Sequence, residues 1–174
     1  MKLSELMNKR IPTLSFEVFP PKNESSFESV KTAAEQIAKL KPSFMSVTYG
    51  AGGGTSRFTL DIAKNIKDRY SVPTLAHLTC VSSTKETVRE KISEMREAGI
   101  ENVMALRGDL PSDSSQYFGD YRYAYQLVRQ LREAKNTIPV LMITAKDAFD
   151  DMREGFNSGA DDYMIKPINI NEMV

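Results

Sequence analysis

Apolar residues recur along this chain in two periods. Short runs alternate every second residue, and each is followed by a stretch with spacings of three and four, the mark of strand then helix. Residues 13–19 (TLSFEVF) alternate as a strand and stop at Pro20-Pro21. Ser25-Ser26-Phe27-Glu28 has the form of a capping box, in which serine and glutamate satisfy each other's free backbone N–H groups. Phe27, Val30, Ala34, Ile37 and Leu40 then share one face of a helix. Residues 43–48 (SFMSVT) form a second strand, residues 50–54 a glycine-rich loop, and Thr55 opens a helix that buries Leu60, Ala63 and Ile66. Residues 73–78 make the third strand. A second capping box, Ser83 to Glu86, leads a helix with Val88, Ile92 and Met95 inward. Gly99 closes it in the left-handed conformation that glycine adopts at least cost. Residues 102–106 (NVMAL) are the fourth strand, followed by a polar loop and a helix over 120–134 with Ala124, Leu127, Val128 and Leu131 facing in.

Beyond residues 132–139 (REAKNTIP) the alternation continues. Residues 140–144 are a fifth strand, and Asp147 caps a helix carrying Phe149, Met152 and Phe156, closed by Gly159. Residues 162–165 are a sixth strand, and residues 168–174 begin a last helix. Strict strand–helix alternation predicts an α/β fold of about six parallel βα units with right-handed crossovers. It reads as one domain over residues 1–174, with six strands in chain order and five helices on the convex face. A closed eight-unit barrel takes about 250 residues, so the expected sheet is open or only partly closed.

Composition narrows the function. Lys plus Arg number 23 and Asp plus Glu 23, which removes the basic footprint of a nucleic-acid or anionic-membrane binder. The longest apolar runs are strand-sized, short of the ~20 residues that cross a bilayer. The first residues, MKLSELMNKRIP, lack the apolar core of a signal peptide and read as a short amphipathic helix. A lone cysteine, Cys80, excludes an intramolecular disulfide and suits a reducing cytoplasm. One histidine and one cysteine do not make a dedicated zinc site.

In parallel α/β folds the reactive groups gather at the carboxyl ends of the strands. Glu17, His77 and the run Arg107 to Asp109 fall at such ends and converge on one rim. Glu17, among Phe16, Phe19 and two prolines, suits a general acid, although such a carboxylate is more often an ordinary strand residue paired with an arginine or lysine. His77, between apolar neighbours, is either a ligand or a hydrogen-bonded core residue. The loop from Gly50 to Thr55 is not a dinucleotide fingerprint, because Thr55 stands where the third glycine is required. A glycine-rich turn before a helix can still offer N–H groups to a phosphate.

Taken together, FEVFPPK (16–22), SVTYGAGG (46–53), HLTC (77–80) and ALRGDLP (105–111) closely resemble the methylenetetrahydrofolate reductase family, in its order and spacing. The resemblance covers roughly residues 1–134, about the first half of that family's TIM barrel. It implies that Glu17 donates a proton to the folate, and that Asp109 tunes the flavin and contacts the folate. It also implies that Thr48, Tyr49, Ala51, His77, Arg107 and Gly108 line the FAD site, with Tyr123 and Ala124 touching it after the fourth strand. In that family FAD carries hydride from a nicotinamide cofactor to the folate. The family's later barrel strands complete the flavin cradle, and their motifs do not follow Ala134. Weak or absent FAD binding, no metal and no native turnover are therefore expected.

Residues 138–169 resemble the last third of a response-regulator receiver domain, which is flavodoxin-like. This implies Thr144 as the switch hydroxyl, Lys166 before Pro167 as the phosphate-binding lysine, and Tyr163 as the switch aromatic. The phosphoacceptor and its acidic partners are missing from the earlier strand ends, and Asp161-Asp162 precede their strand. These receiver remnants are thus expected to be scaffold, with no phosphorelay partner. The leading expectation is an engineered fold chimera, a TIM half-barrel segment (1–134) joined to a receiver segment (135–174) to test whether such pieces are compatible. The alternative is a residual FAD-binding fragment of the reductase, a flavin-dependent oxidoreductase. An open sheet face and two free edges favour a homodimer. The expected protein is cytoplasmic and contacts neither nucleic acid nor membrane.

Overall fold

The alternating runs form parallel strands, and the spacings of three and four form the helices between them. A computed structural model describes residues 1–7, 12–49, 56–81, 83–108, 119–135, 137 and 140–167. The chain divides into two units, Met1–Asp120 and Tyr121–Val174.

The first unit contains α1 (Leu3–Met7), β1 (Ser15–Val18), α2 (Phe27–Ala38), β2 (Phe44–Val47), α3 (Ser56–Tyr70), β3 (Thr74–Thr79), α4 (Lys85–Glu97) and β4 (Asn102–Leu106). Its strands pair in parallel in the order β1-β2-β3-β4. Strands laid down in chain order with right-handed crossovers place α2, α3 and α4 on the same side of the sheet. That side is closed: Met45, Val47, Ala76 and Leu78 are buried on it, opposite Phe58, Ile62, Ala63 and Ile66 of α3. Complete burial of a side chain such as Ile62 or Ile66 contributes about 1.5–3 kcal/mol. The other side carries Glu17, Ser46, Leu75, His77 and Met104, which the register and the two-residue period bring to one face.

Local signals were intercepted at several points. The first expected capping box does not form, because Asn23 lies upstream and its side-chain oxygen accepts from the Ser26 N–H and the Ser25 hydroxyl. A short Asx interaction of this kind competes directly with a helix cap. It holds one 3-10 turn, Glu24–Ser26, ahead of α2. Helix α2 then ends at Ala38, so Leu40 falls beyond it and is 73% exposed instead of facing in. The second box does not form either: Thr84 caps α4 by accepting from the Thr87 N–H, and Asp120 accepts from the Lys85 N–H. At the far end of α4, Gly99 has φ +67°. Lys67 on α3 donates to the Ala98 and Gly99 carbonyls there, which satisfies acceptors a helix end leaves unpaired.

The second unit contains α5 (Ala124–Glu133), β5 (Leu141–Thr144), α6 (Phe149–Asn157) and β6 (Asp162–Ile165). Strands β5 and β6 pair in parallel in a sheet of their own, so the described strands form two sheets where one of six was expected. Neither sheet closes. Helix α5 starts at Ala124 instead of near residue 120, where Gln126 accepts from the Arg122 and Tyr123 N–H groups. Asp147 does not cap α6; its N-cap is Ala148, with no side-chain bond. Phe149 and Phe156 are 76% and 46% exposed instead of inward. The reason is that α6 meets its sheet through Gly155, where a Cβ would stand 2.8 Å from Tyr163 Cε2 and 3.3 Å from Met142 Sδ. Arg132 ties this unit together, donating to the Gly159 carbonyl and to Asp161 at 2.8 Å each. The same Asp161 oxygen accepts from the Val140 N–H at 2.7 Å. The tail expected to begin a last helix at residue 168 lies outside the described residues.

Gly99→Ala should lower stability by about 1–2 kcal/mol, the cost of a left-handed conformation with a Cβ. That Cβ would also stand 2.7 Å from Lys67 Nζ. Urea unfolding checks this, and an unchanged midpoint would count against the capping role.

Candidate functional site

Glu17 is the third residue of β1 and stands in register with Ser46 on β2. Ser46 pairs with Leu75 on β3, and His77 follows two residues later on the same face. Neighbouring parallel strands are about 4.8 Å apart, so Glu17 and His77 spring from backbones about two spacings apart. They meet because the residue between them is a serine. The Ser46 hydroxyl donates to Glu17 Oε1 at 3.3 Å, and His77 Nε2 lies 3.6 Å from the same oxygen. The Glu17 side chain is 45% exposed, while Ser46 and His77 are buried.

His77 Nε2 has no hydrogen-bond partner among the described residues. Burial pushes the His77 pKa below its ordinary value, and the Glu17 carboxylate opposes that shift. A histidine depressed in the folded state binds fewer protons there than in the unfolded chain. Its contribution to stability is therefore present above about pH 6.5 and is lost as pH falls through the lowered folded value.

The adjoining strand ends are held firmly. The Thr48 N–H donates to Val18 O at 2.9 Å, extending the β1–β2 ladder, and Thr59 on α3 donates its hydroxyl to Thr48 O at 2.8 Å. Tyr49 follows and is half-buried. Past β4, the ladder with β3 runs on through Cys80 N to Leu106 O and Val81 N to Arg107 O. Gly108 then crosses close over the end of β3 with φ +84°; a Cβ there would lie 2.8 Å from Val81 Cγ1 and 3.1 Å from Thr79 Cβ. Arg107 keeps an exposed guanidinium whose Nε donates to Gly108 O. Burial pushes the Cys80 thiol up to about 11, which makes it inert as a nucleophile at neutral pH. Ala51 and Asp109 lie outside the described residues. Among the described residues no cluster of three side chains could hold a metal ion.

Tyr123 and Ala124 belong to the second unit, at the start of α5. The Tyr123 ring lies 5.7 Å from that of Tyr125, and Lys146 Nζ sits 4.6 Å above the Tyr123 ring. In the same unit Thr144 ends β5, and its hydroxyl accepts from the Lys146 N–H. Tyr163 donates to Lys146 O at 3.0 Å, and burial raises its pKa. The Asp151 carboxylate, 2.6 Å from Lys146 Nζ, holds that amine charged. Lys166 is exposed just past β6. Sequence reasoning missed two members of these arrangements, Ser46 and Lys146. Ser46 carried a signal, since it opens the motif SVTYGAGG one strand from Glu17.

A family model described as methylenetetrahydrofolate reductase matches residues 2–150. The 5,10-methylenetetrahydrofolate reductase of Pectobacterium carotovorum is 39% identical over 120 residues, covering 69% of this chain and 39% of that protein. The Escherichia coli protein of the same name is 38% identical over 120 residues, covering 69% of this chain and 40% of its own length. Methylenetetrahydrofolate reductase (NADH) 1 of Arabidopsis thaliana is 34% identical over 134 residues, covering 75% of this chain and 23% of its own. The chain thus spans about two-fifths of the length of these bacterial relatives and under a quarter of the plant protein. The family match runs through residues 132–139 to residue 150, so the receiver resemblance read from residue 138 gains no support from it. A match from residue 2 to residue 150, over the strand ends that bring Glu17, Ser46 and His77 together, makes this chain a member of the methylenetetrahydrofolate reductase family.

Proposed function

We propose that this chain is a flavin-binding fragment of a methylenetetrahydrofolate reductase, with Glu17 as the proton donor to a folate. Thr48, Tyr49, Ala51, His77, Arg107, Gly108 and Asp109 would line the flavin edge, with Tyr123 and Ala124 as further contacts. The observation that carries this reading is the meeting of Glu17 and His77 over Ser46 at the carboxyl end of a parallel sheet. What supports a cofactor at this rim is a glycine turn and a cation past the strand ends. Gly108 lies close over Thr79 and Val81, where a Cβ would stand 2.8 Å from Val81 Cγ1, and the Arg107 guanidinium is exposed next to it. A bound FAD would supply hydride transfer between a nicotinamide and the folate. The chain's own part is to orient the ligands along the strand ends and to present the Glu17 carboxyl to them. No helix among the described residues is long and apolar enough to cross a membrane, and a cytoplasmic location is part of this reading.

Titrating the purified protein with FAD and following flavin fluorescence tests the proposal. Saturable quenching is expected, and Thr48→Ala and Arg107→Ala should each weaken binding about tenfold, the loss of one good hydrogen bond at ~1.4 kcal/mol. Fluorescence indifferent to the protein, or binding in both variants as tight as in the unsubstituted protein, would sink the reading.

The fragment is also proposed to self-associate. β1 and β4 are the edges of the four-stranded sheet, and Met104 on β4 is 39% exposed on the face that carries Glu17. Unpaired edges and exposed apolar side chains both favour pairing with a second copy. Light scattering at micromolar concentration should give the mass of a dimer; a monodisperse monomer would reject this.

A second reading, an engineered chimera of a half-barrel and a receiver segment, rests on β5 and β6 pairing in a sheet of their own. The family match to residue 150 weighs against it. In that reading Thr144, Tyr163 and Lys166 are scaffold, consistent with the local bonds of Thr144 and Tyr163.

A further inference from the structure

We propose that Ser46 is a positioning residue for Glu17, and that Glu17 and His77 act over it as one proton-holding pair. This rests on the reading of Glu17 as the proton donor and assigns the residues that hold its carboxyl in place.

Both partners converge on a single atom. Ser46 Oγ donates to Glu17 Oε1 at 3.3 Å, and His77 Nε2 faces that oxygen at 3.6 Å. The register fixes the order Glu17, Ser46, then the β3 position next to His77, so the small side chain at position 46 lies between carboxyl and imidazole. A hydroxyl at that position adds a donor to the smallness. Ser46 is 8% and His77 7% exposed, whereas the Glu17 side chain is open to solvent. The carboxyl is therefore gripped from the sheet and reached from outside.

Nothing else among the described residues competes for His77. The groups facing it are Glu17 from β1, the uncharged Ser46 from β2 and the uncharged Met104 from β4. Among the described residues Glu17 is the one charged group that favours its protonated form, and burial is the larger, opposing cause.

The chain has a single histidine, so the imidazole resonances of histidine-labelled, flavin-free protein report His77 alone. A carboxylate at this distance favours the imidazolium, so Glu17→Gln should move the titration midpoint further down. Ser46→Ala, which frees the carboxyl, should move it down part of the way, with the melting curve of a folded protein. Ser46→Thr keeps the hydroxyl and should restore the wild-type midpoint. A midpoint that Glu17→Gln leaves in place overturns the pair. A midpoint that Ser46→Ala leaves in place, while Glu17→Gln moves it, overturns the positioning role. So does a folded Ser46→Thr variant that titrates like Ser46→Ala. Failure to bind FAD would overturn the flavin reading and leave these titrations untouched.

Discussion

Parallel strands cannot be joined by tight turns, so each of β1 to β4 must return through a helix on the same side of the sheet. That constraint gives the first unit two faces of different chemistry. The helix side is sealed by Met45, Val47, Ala76, Leu78 and the apolar stripe of α3. On the other side the chain places a carboxyl, a hydroxyl and an imidazole in adjacent register. Cutting the same register by one residue would exchange the two faces, so the core and the candidate site are specified by one set of pairings.

The sequence made the strands and helices legible because their periods differ. Strands β4 and β6 lie where the alternation puts them, at 102–106 and 162–165. Helix beginnings were less legible. Asn23 accepts from the Ser26 N–H and Thr84 from the Thr87 N–H, so the first turns start from other residues than Ser25 and Ser83, since several short polar side chains close together compete to cap one helix start. The inward face of α6 was misread because Phe149 and Phe156 outweigh glycine in any apolar pattern, whereas Gly155 makes the close approach to Tyr163. Sheet membership was least legible. Pairing between distant strands is not written in any local window, and β5 pairs with β6 in a separate sheet.

Glu17 and His77 could be singled out from motif order alone, yet Ser46 could not be joined to them. Its role depends on which β2 residue lies opposite Glu17, a fact of register. In the second unit, Tyr163 shows how a residue suggestive of another chemistry is absorbed by structure, beside an arginine that ties the unit together. Arg132 binds Gly159 and Asp161, and Tyr163 packs under Gly155 while bonding Lys146.

The central claim is that the rim bearing Glu17 and His77 is where flavin binds. The most direct measurement adds FAD to histidine-labelled protein and follows the imidazole signal of the one histidine. This signal should move in step with flavin saturation and return when the flavin is removed. Flavin that saturates the protein while the imidazole signal stays still would place its site elsewhere and contradict the account.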